Sequence, residues 1–319
     1  MPIFLSILFL MVGFVLLIKG ADFFVDGAVS IANNCKMPKV LIGLTIVAFG
    51  TSAPELAVSL QALASGSTDM VLGNVIGSNI INILLILGLA ACVRPLRIRK
   101  NTIKKEIPIA ILISSLLVVL FLDVQLKSGE VNQITRSDGI AILLFFAVFL
   151  YYLISSALRS RDNKTFEKPR WKIWPSIGIT ILGLVGIIGG SELVVSNASN
   201  IAAGIGISER IISITVIALG TSLPELVTAL VSAKKGETDL VIGNILGSNI
   251  FNICMVLGIP VAIFGTITPA SFKIIDLAML VGSAVLLYIF SKTEHKISRR
   301  EGIFMLSLFV VYYVAVFVI

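Results

Sequence analysis

Apolar residues run along the chain in ten long stretches, at about 3–32, 40–64, 70–92, 107–122, 139–158, 174–203, 211–233, 240–264, 274–291 and 302–319. Short polar and charged segments separate them. A helix of about 17–25 apolar residues crosses a hydrocarbon layer of roughly 30 Å. The pattern therefore predicts an all-α integral membrane protein with ten transmembrane helices, the fourth being the shortest. The first stretch is expected to remain as a span, because Met1 to Lys19 has no basic leading region and no small-residue cleavage site.

Composition agrees with that reading. Hydrophobic residues make up 57% of the 319 residues and charged residues 13%, with a mean hydropathy of +1.03. The bilayer is the expected solvent. Cys35, Cys92 and Cys254 form no CxxC and lie in or beside apolar segments, so packing is expected of them, not metal or redox chemistry.

The net charge of +7 does not call for nucleic acid, because the basic residues follow an alternation. Most lie in every second loop: Lys36 and Lys39, Arg94 to Lys105, Arg159 to Lys172, Lys234 and Lys235, and Lys292 to Arg300. The opposite loops hold Lys127, Arg136, Arg210 and Lys273. The positive-inside rule makes the rich loops cytoplasmic and puts both termini outside. Lys19, Asp22 and Asp26 fall near the cytoplasmic end of the long first span, where Lys19 and Asp22 are spaced to pair across one helical turn.

A shift of 170 residues lays Gly43–Gly88 on Ser213–Gly258 without a gap, and half of the aligned positions are identical. The register extends back to Gly13, Gly20 and Asp22 against Gly183, Gly190 and Glu192. Asp138-Gly139-Ile140 corresponds loosely to Glu301-Gly302-Ile303 at a shorter offset. Residues 1–158 and 174–319 are thus expected to be two five-helix repeats joined by a cytoplasmic linker, 159–173. An odd number of spans inverts the second copy. Inverted repeats with broken helices and a midplane site are a common architecture of secondary transporters.

Two passages carry the chemistry. Gly50-Thr51-Ser52-Ala53-Pro54-Glu55 returns as Gly220-Thr221-Ser222-Leu223-Pro224-Glu225, and Gly73 to Asn82 returns as Gly243 to Asn252. A carboxylate at mid-membrane depth costs about 2.5–3.5 kcal/mol on insertion scales, so Glu55 and Glu225 need partners. Pro54 and Pro224 are expected to unwind their helices near Ala48–Gly50 and Ala218–Gly220, freeing carbonyl oxygens. Thr51 and Ser52 share a helix face with Glu55, and Ser78 with Asn82 and Ser248 with Asn252 form further polar stripes. Four helices can supply oxygen to one cluster that lacks sulfur and imidazole, which implies a hard cation such as Ca²⁺.

Blander roles compete at several positions. Gly73, Gly77, Gly243 and Gly247 suit close helix packing, and Asn74, Asn79, Asn244 and Asn249 suit hydrogen bonds between helices. Asp69 and Asp239 suit helix N-caps. Glu55 and Glu225 as a purely structural proton-sharing pair is the weaker alternative.

The duplicated GTSxPE followed by GNxxGSNxxN resembles the sodium/calcium exchangers of the cation/calcium antiporter superfamily, in their short prokaryotic form without a large regulatory loop. The resemblance covers nearly the whole chain. It implies antiport of Ca²⁺ against Na⁺ in the plasma (inner) membrane, with both ions as bound cargo, no cofactor, no enzymatic activity and no obligate protein partner beyond membrane lipid. It further implies that Glu55 and Glu225 share a Ca²⁺ site with the carbonyls of Thr51 and Thr221. Ser52, Ser222, Ser78, Ser248 and the carbonyls of Ala48 and Ala218 would complete flanking sodium sites. Some relatives have Asp where this chain has Asn252, so Asn82 and Asn252 are both neutral here and two carboxylates remain.

Proton/calcium exchange is the alternative, since a carboxylate in low dielectric takes up a proton. An intramembrane enzyme lacks HExxH or a serine with a histidine partner, and a P-loop pump lacks GxxxxGK[ST]. A passive channel fits poorly with an inverted repeat.

Overall fold

The structure, a computed structural model, describes residues 3–122, 124, 131–159, 167–204, 218–268 and 274–318. Lys127, Arg161, Lys164, Arg210 and Lys273, and residues 211–217 of the seventh expected span, lie outside the described residues. The helices are α1 (Ile3–Asn34), α2 (Lys39–Thr51), α3 (Ala53–Ala64), α4 (Thr68–Val93), α5 (Ile107–Phe121), α6 (Arg136–Arg159), α7 (Ile173–Gly204), α8 (Leu223–Lys235), α9 (Thr238–Phe264), α10 (Ile274–Thr293) and α11 (Arg299–Val318). Among the described residues six are long and apolar enough to cross a membrane, or seven if the bent pair α2 and α3 counts as one span. That is fewer than the ten expected. The fourth stretch forms only the 15-residue α5, and the seventh runs into residues outside the description.

Both copies of the repeat begin with a 32-residue helix, and α1 and α7 pack together along their glycines. A Cβ on Gly13 would stand 3.0 Å from the carbonyl of Gly190, and one on Gly20 would stand 2.7 Å from the amide of Ile187. As numbers rise on α1 they fall on α7, so the two helices are antiparallel. Their outer faces carry exposed Phe4, Met11, Leu182 and Val185, which suits contact with lipid chains.

The centre is built by α4 and α9, the most buried of the long helices. Gly243 and Gly247 let α9 lie directly on α2, where a Cβ on Gly247 would come within 2.6 Å of Ala48 Cβ. Close packing is therefore what these two glycines do. The asparagine expectation also holds in part: Asn74 donates to the Glu55 carbonyl at 3.0 Å, and Asn249 to the Asn79 carbonyl at 3.3 Å. All three cysteines are free thiols, half-buried or buried. Gly66 and Gly236 occupy the left-handed region at equivalent points of the two halves, φ +80° and +81°, where a side chain would be strained.

The loose correspondence near residues 138 and 301 has a local cause. Asp138 accepts the Thr135 amide at 2.8 Å while Thr135 Oγ1 faces the Asp138 amide, and Glu301 and Ser298 repeat the arrangement with a 2.7 Å bond. These are reciprocal caps on α6 and α11. The glycine one residue on then sets each helix against the core: Gly139 on Val261, and Gly302 on the Gly88 carbonyl.

The basic loops meet at one end of the bundle. Leu96–Arg97 pairs antiparallel with Lys296–Ile297, Lys39 joins Glu167 at 3.1 Å and Glu237 at 2.9 Å, and Asp26 joins Arg170 at 2.8 Å and Lys235 at 2.6 Å. At the other end Ile134 bridges Ile267, and Arg136 donates to the Ile263 carbonyl. Two expectations change here. Asp22 pairs with Lys235, at 3.3 Å, while Lys19 lies on the exposed side of α1. Asp69 and Asp239 occupy first turns but are not the caps; those positions are Ser67 and Glu237, and Asp239 pairs with Arg99.

Candidate functional site

The backbone at Ser52 and Ser222 is nearly identical, φ −89° with ψ 4° and 5°. Each serine precedes a helix with proline in its first turn, where the missing N–H is tolerated. In the first half the chain turns by 44° between α2 and α3. The break thus falls at Ser52, not at Ala48–Gly50. Helix continues through Thr51, and the Ala48 carbonyl accepts the Ser52 amide at 3.0 Å, so it is not freed by the break. Ala218 likewise belongs to a short helical turn, Ala218–Gly220. Pro54 and Pro224 instead withhold a helix bond from the carbonyls of Gly50 and Gly220, and Ser191 supplies a hydroxyl to Gly220 at 3.0 Å.

Beyond each break a glutamate enters the core. Glu55 is 1% exposed and Glu225 0%. The packing is crossed: α3 lies against the turn Asn252–Leu257 of α9, and α8 against the turn Ile81–Leu87 of α4. Both turns are π-helical, a form that often marks functional sites. The crossing brings residues far apart in sequence into contact.

Ser52 donates to Glu225 Oε1 at 2.9 Å, and Ser248 reaches the same oxygen at 3.4 Å. Thr51 donates to Asn244 Oδ1 at 3.2 Å and lies 3.4 Å from the Ser248 hydroxyl. Asn82 donates to Asn249 Oδ1 at 3.0 Å. The halves are therefore interleaved. Ser78 and Asn252 are buried on α4 and α9, Ser222 is buried at the second break, and Thr221 is half-buried beside it.

Several buried oxygens here have no partner: both of Glu55, Oε2 of Glu225, Oδ1 of Asn82 and of Asn252, and the Ser222 hydroxyl. Buried polar atoms are almost always bonded, and leaving one unpaired costs about 1–3 kcal/mol, more when it is charged. Six such oxygens in one group of helices mark a site for a ligand that accepts electron pairs. Among the described residues no third acidic, histidine or cysteine side chain joins them. Two carboxylates with neutral oxygens balance one divalent cation.

Thr228 and Ser232 belong to the site's surroundings but were not singled out from sequence. Both are buried and their hydroxyls lack partners. Their signal was spacing, since they lie three and seven residues after Glu225 and hence on its face of α8.

An inverted-repeat-like bundle with broken helices, crossed π turns and a buried pair of carboxylates defines a membrane transporter of cations. The chain belongs to the sodium/calcium exchanger protein family, which matches residues 5–155 and 175–318. The family consists of transporters, and the chain is accordingly a cation/calcium antiporter by family. It is 35% identical to the inner membrane protein YrbG of Escherichia coli (strain K12), over 95% of this chain and 94% of that one. It is 30% identical to the sodium/calcium exchanger MaX1 of Methanosarcina acetivorans, over 98% and 99%. Among solved structures it is similar to the sodium-calcium exchanger NCX_Mj soaked with 10 mM Na⁺ and 10 mM Sr²⁺, with TM-score 0.85, 33% identity and 98% of each chain covered.

Proposed function

We propose that this chain exchanges Ca²⁺ for Na⁺ across the inner membrane by alternating access, with Glu55 and Glu225 as the shared anionic ligands. The observation that carries the reading is the set of unpartnered buried oxygens around the two glutamates. Ca²⁺ takes six to eight oxygens, and two carboxylates neutralise it. Thr51, Thr221, Ser52, Ser222, Ser78, Ser248, Asn82 and Asn252, with the backbone carbonyls of Ala48 and Ala218 one turn before the breaks, complete the Ca²⁺ and Na⁺ positions in this reading. Sodium and calcium then compete for overlapping ligands, because a neutral calcium complex leaves no charge to hold further cations.

The same proposal takes the chain as two inverted five-helix repeats, 1–158 and 174–319, joined by 159–173, with ten spans and both termini outside the cytoplasm. The antiparallel α1 and α7, the matching breaks and the gathering of basic loops at one end support it.

Calcium uptake into proteoliposomes under imposed Na⁺, K⁺ or H⁺ gradients tests the coupling. Uptake driven by an outward Na⁺ gradient is expected. Uptake driven by a pH gradient and indifferent to Na⁺ would select proton/calcium exchange, and equal uptake with no counter-gradient would select a channel.

A further inference from the structure

A third buried carboxylate lies outside the exchange site. Glu106 ends the π turn Thr102–Glu106 that leads into α5, and it is 4% exposed. Its Oε1 accepts a hydrogen bond from the Tyr152 hydroxyl of α6, while its Oε2 has no partner. Glu106 lines a cleft of about 560 Å³ between α6, this turn and the start of α2, and Arg99, Lys105 and Arg159 stand on the same walls. The Lys105 ammonium lies 5.9 Å from the centre of the Tyr152 ring.

The positive-inside bias accounts for basic residues at this level but not for a carboxylate buried in the cleft wall with one oxygen unpartnered. The second half isolates the difference. There Asp276, 170 residues after Glu106, accepts the Tyr312 hydroxyl at 2.8 Å, yet the positions of Lys104 and Lys105 hold Ile274 and Ile275. The acid–tyrosine pair is common to both halves; the two lysines directly before the acid belong to the first alone.

An occupant must therefore carry both signs, an anion for Lys105 and Arg159 and a hydrogen-bonding cation for Glu106. It must also come from the lipid side. Val148 and Tyr151, on the α6 wall, are 67% and 74% exposed, and Val40 and Leu41 complete an apolar flank. Arg159 ends a 24-residue helix, so the cleft lies in its last turns, at head-group depth.

We infer that this cleft binds the head group of an aminophospholipid of the phosphatidylethanolamine class, with its phosphate between Lys105 and Arg159 and its ammonium on Glu106, Arg99 being held by Asp239. A trimethylated head group has no N–H to give, and a glycerol head group has no cation.

Native mass spectrometry of the delipidated full chain in detergent, with equal amounts of phosphatidylethanolamine, phosphatidylcholine and phosphatidylglycerol, tests this. The wild type is expected to retain the ethanolamine lipid several-fold over the other two. Glu106→Gln is expected to bring that preference to parity with phosphatidylcholine. Lys105→Ala with Arg159→Ala, at surface positions that leave the fold intact, is expected to lower retention of the ethanolamine lipid several-fold. Equal retention of ethanolamine and choline lipids by the wild type, an unchanged preference in Glu106→Gln, or no loss in the double variant would each overturn the inference. Free phosphoethanolamine displacing the lipid at equal concentration would overturn the lipid as occupant.

Discussion

At the scale of single residues, the reading rests on two carboxylates that no basic side chain among the described residues neutralises. Glu55→Gln or Glu225→Gln halves the fixed charge and is expected to reduce calcium-coupled flux in proteoliposomes at least tenfold, with the protein still folded by circular dichroism. Asn252→Asp adds a third negative charge and is expected to change cation preference, read as a shifted ratio of Ca²⁺-dependent to Na⁺-dependent flux. Flux unaffected by Glu225→Gln would remove the glutamate from the site. These residues were legible in sequence because polarity inside an apolar run, repeated at one offset, has no cheap structural explanation. What was not legible is the partner of each: Ser52 with Glu225, Thr51 with Asn244 and Asn82 with Asn249 all join one half to the other. Sequence carries helix-face spacing, and crossing partners come only with the packing.

At the scale of elements, proline announced the break but misplaced it. Losing the bond to the residue four before need not unwind that residue. The turn appears where the backbone has a small residue free to take ψ near zero, and that is Ser52. Asp239 shows the same limit, for an acid in a first turn reads alike as a cap or as an ion-pair partner. Glycine spacing was the surer guide. Gly243→Ala would drive a methyl group into the Val40 carbonyl, and Gly20→Ala would drive one into α7. Each is expected to destabilise the protein by about 1–3 kcal/mol, seen as a lower melting temperature in detergent, whereas Gly282→Ala, with no neighbour within 4 Å in the described structure, should leave it unchanged.

At the scale of the molecule, the basic loops gathered at one end predict that a cysteine placed at Ser298 is labelled from the cytoplasmic side only; labelling from outside intact cells would reverse the topology. The two serines at the helix breaks lead further. Equivalent by sequence, they differ in use: Ser52 holds Glu225, whereas the Ser222 hydroxyl and both oxygens of Glu55 stand without partners. Two halves of near-identical chemistry have settled into unlike roles, and the proposed alternating access predicts a second state in which the roles are exchanged. There Ser222 would hold Glu55 and Ser52 would let go. The energy gap between these mirror states is then set only by differences between the halves, so Ser52→Ala and Ser222→Ala should displace the resting balance of inward and outward forms in opposite directions. Solvent accessibility of a reporter cysteine on α8 would read that displacement, and a shift of the same sign from both substitutions would show that the two serines are not counterparts.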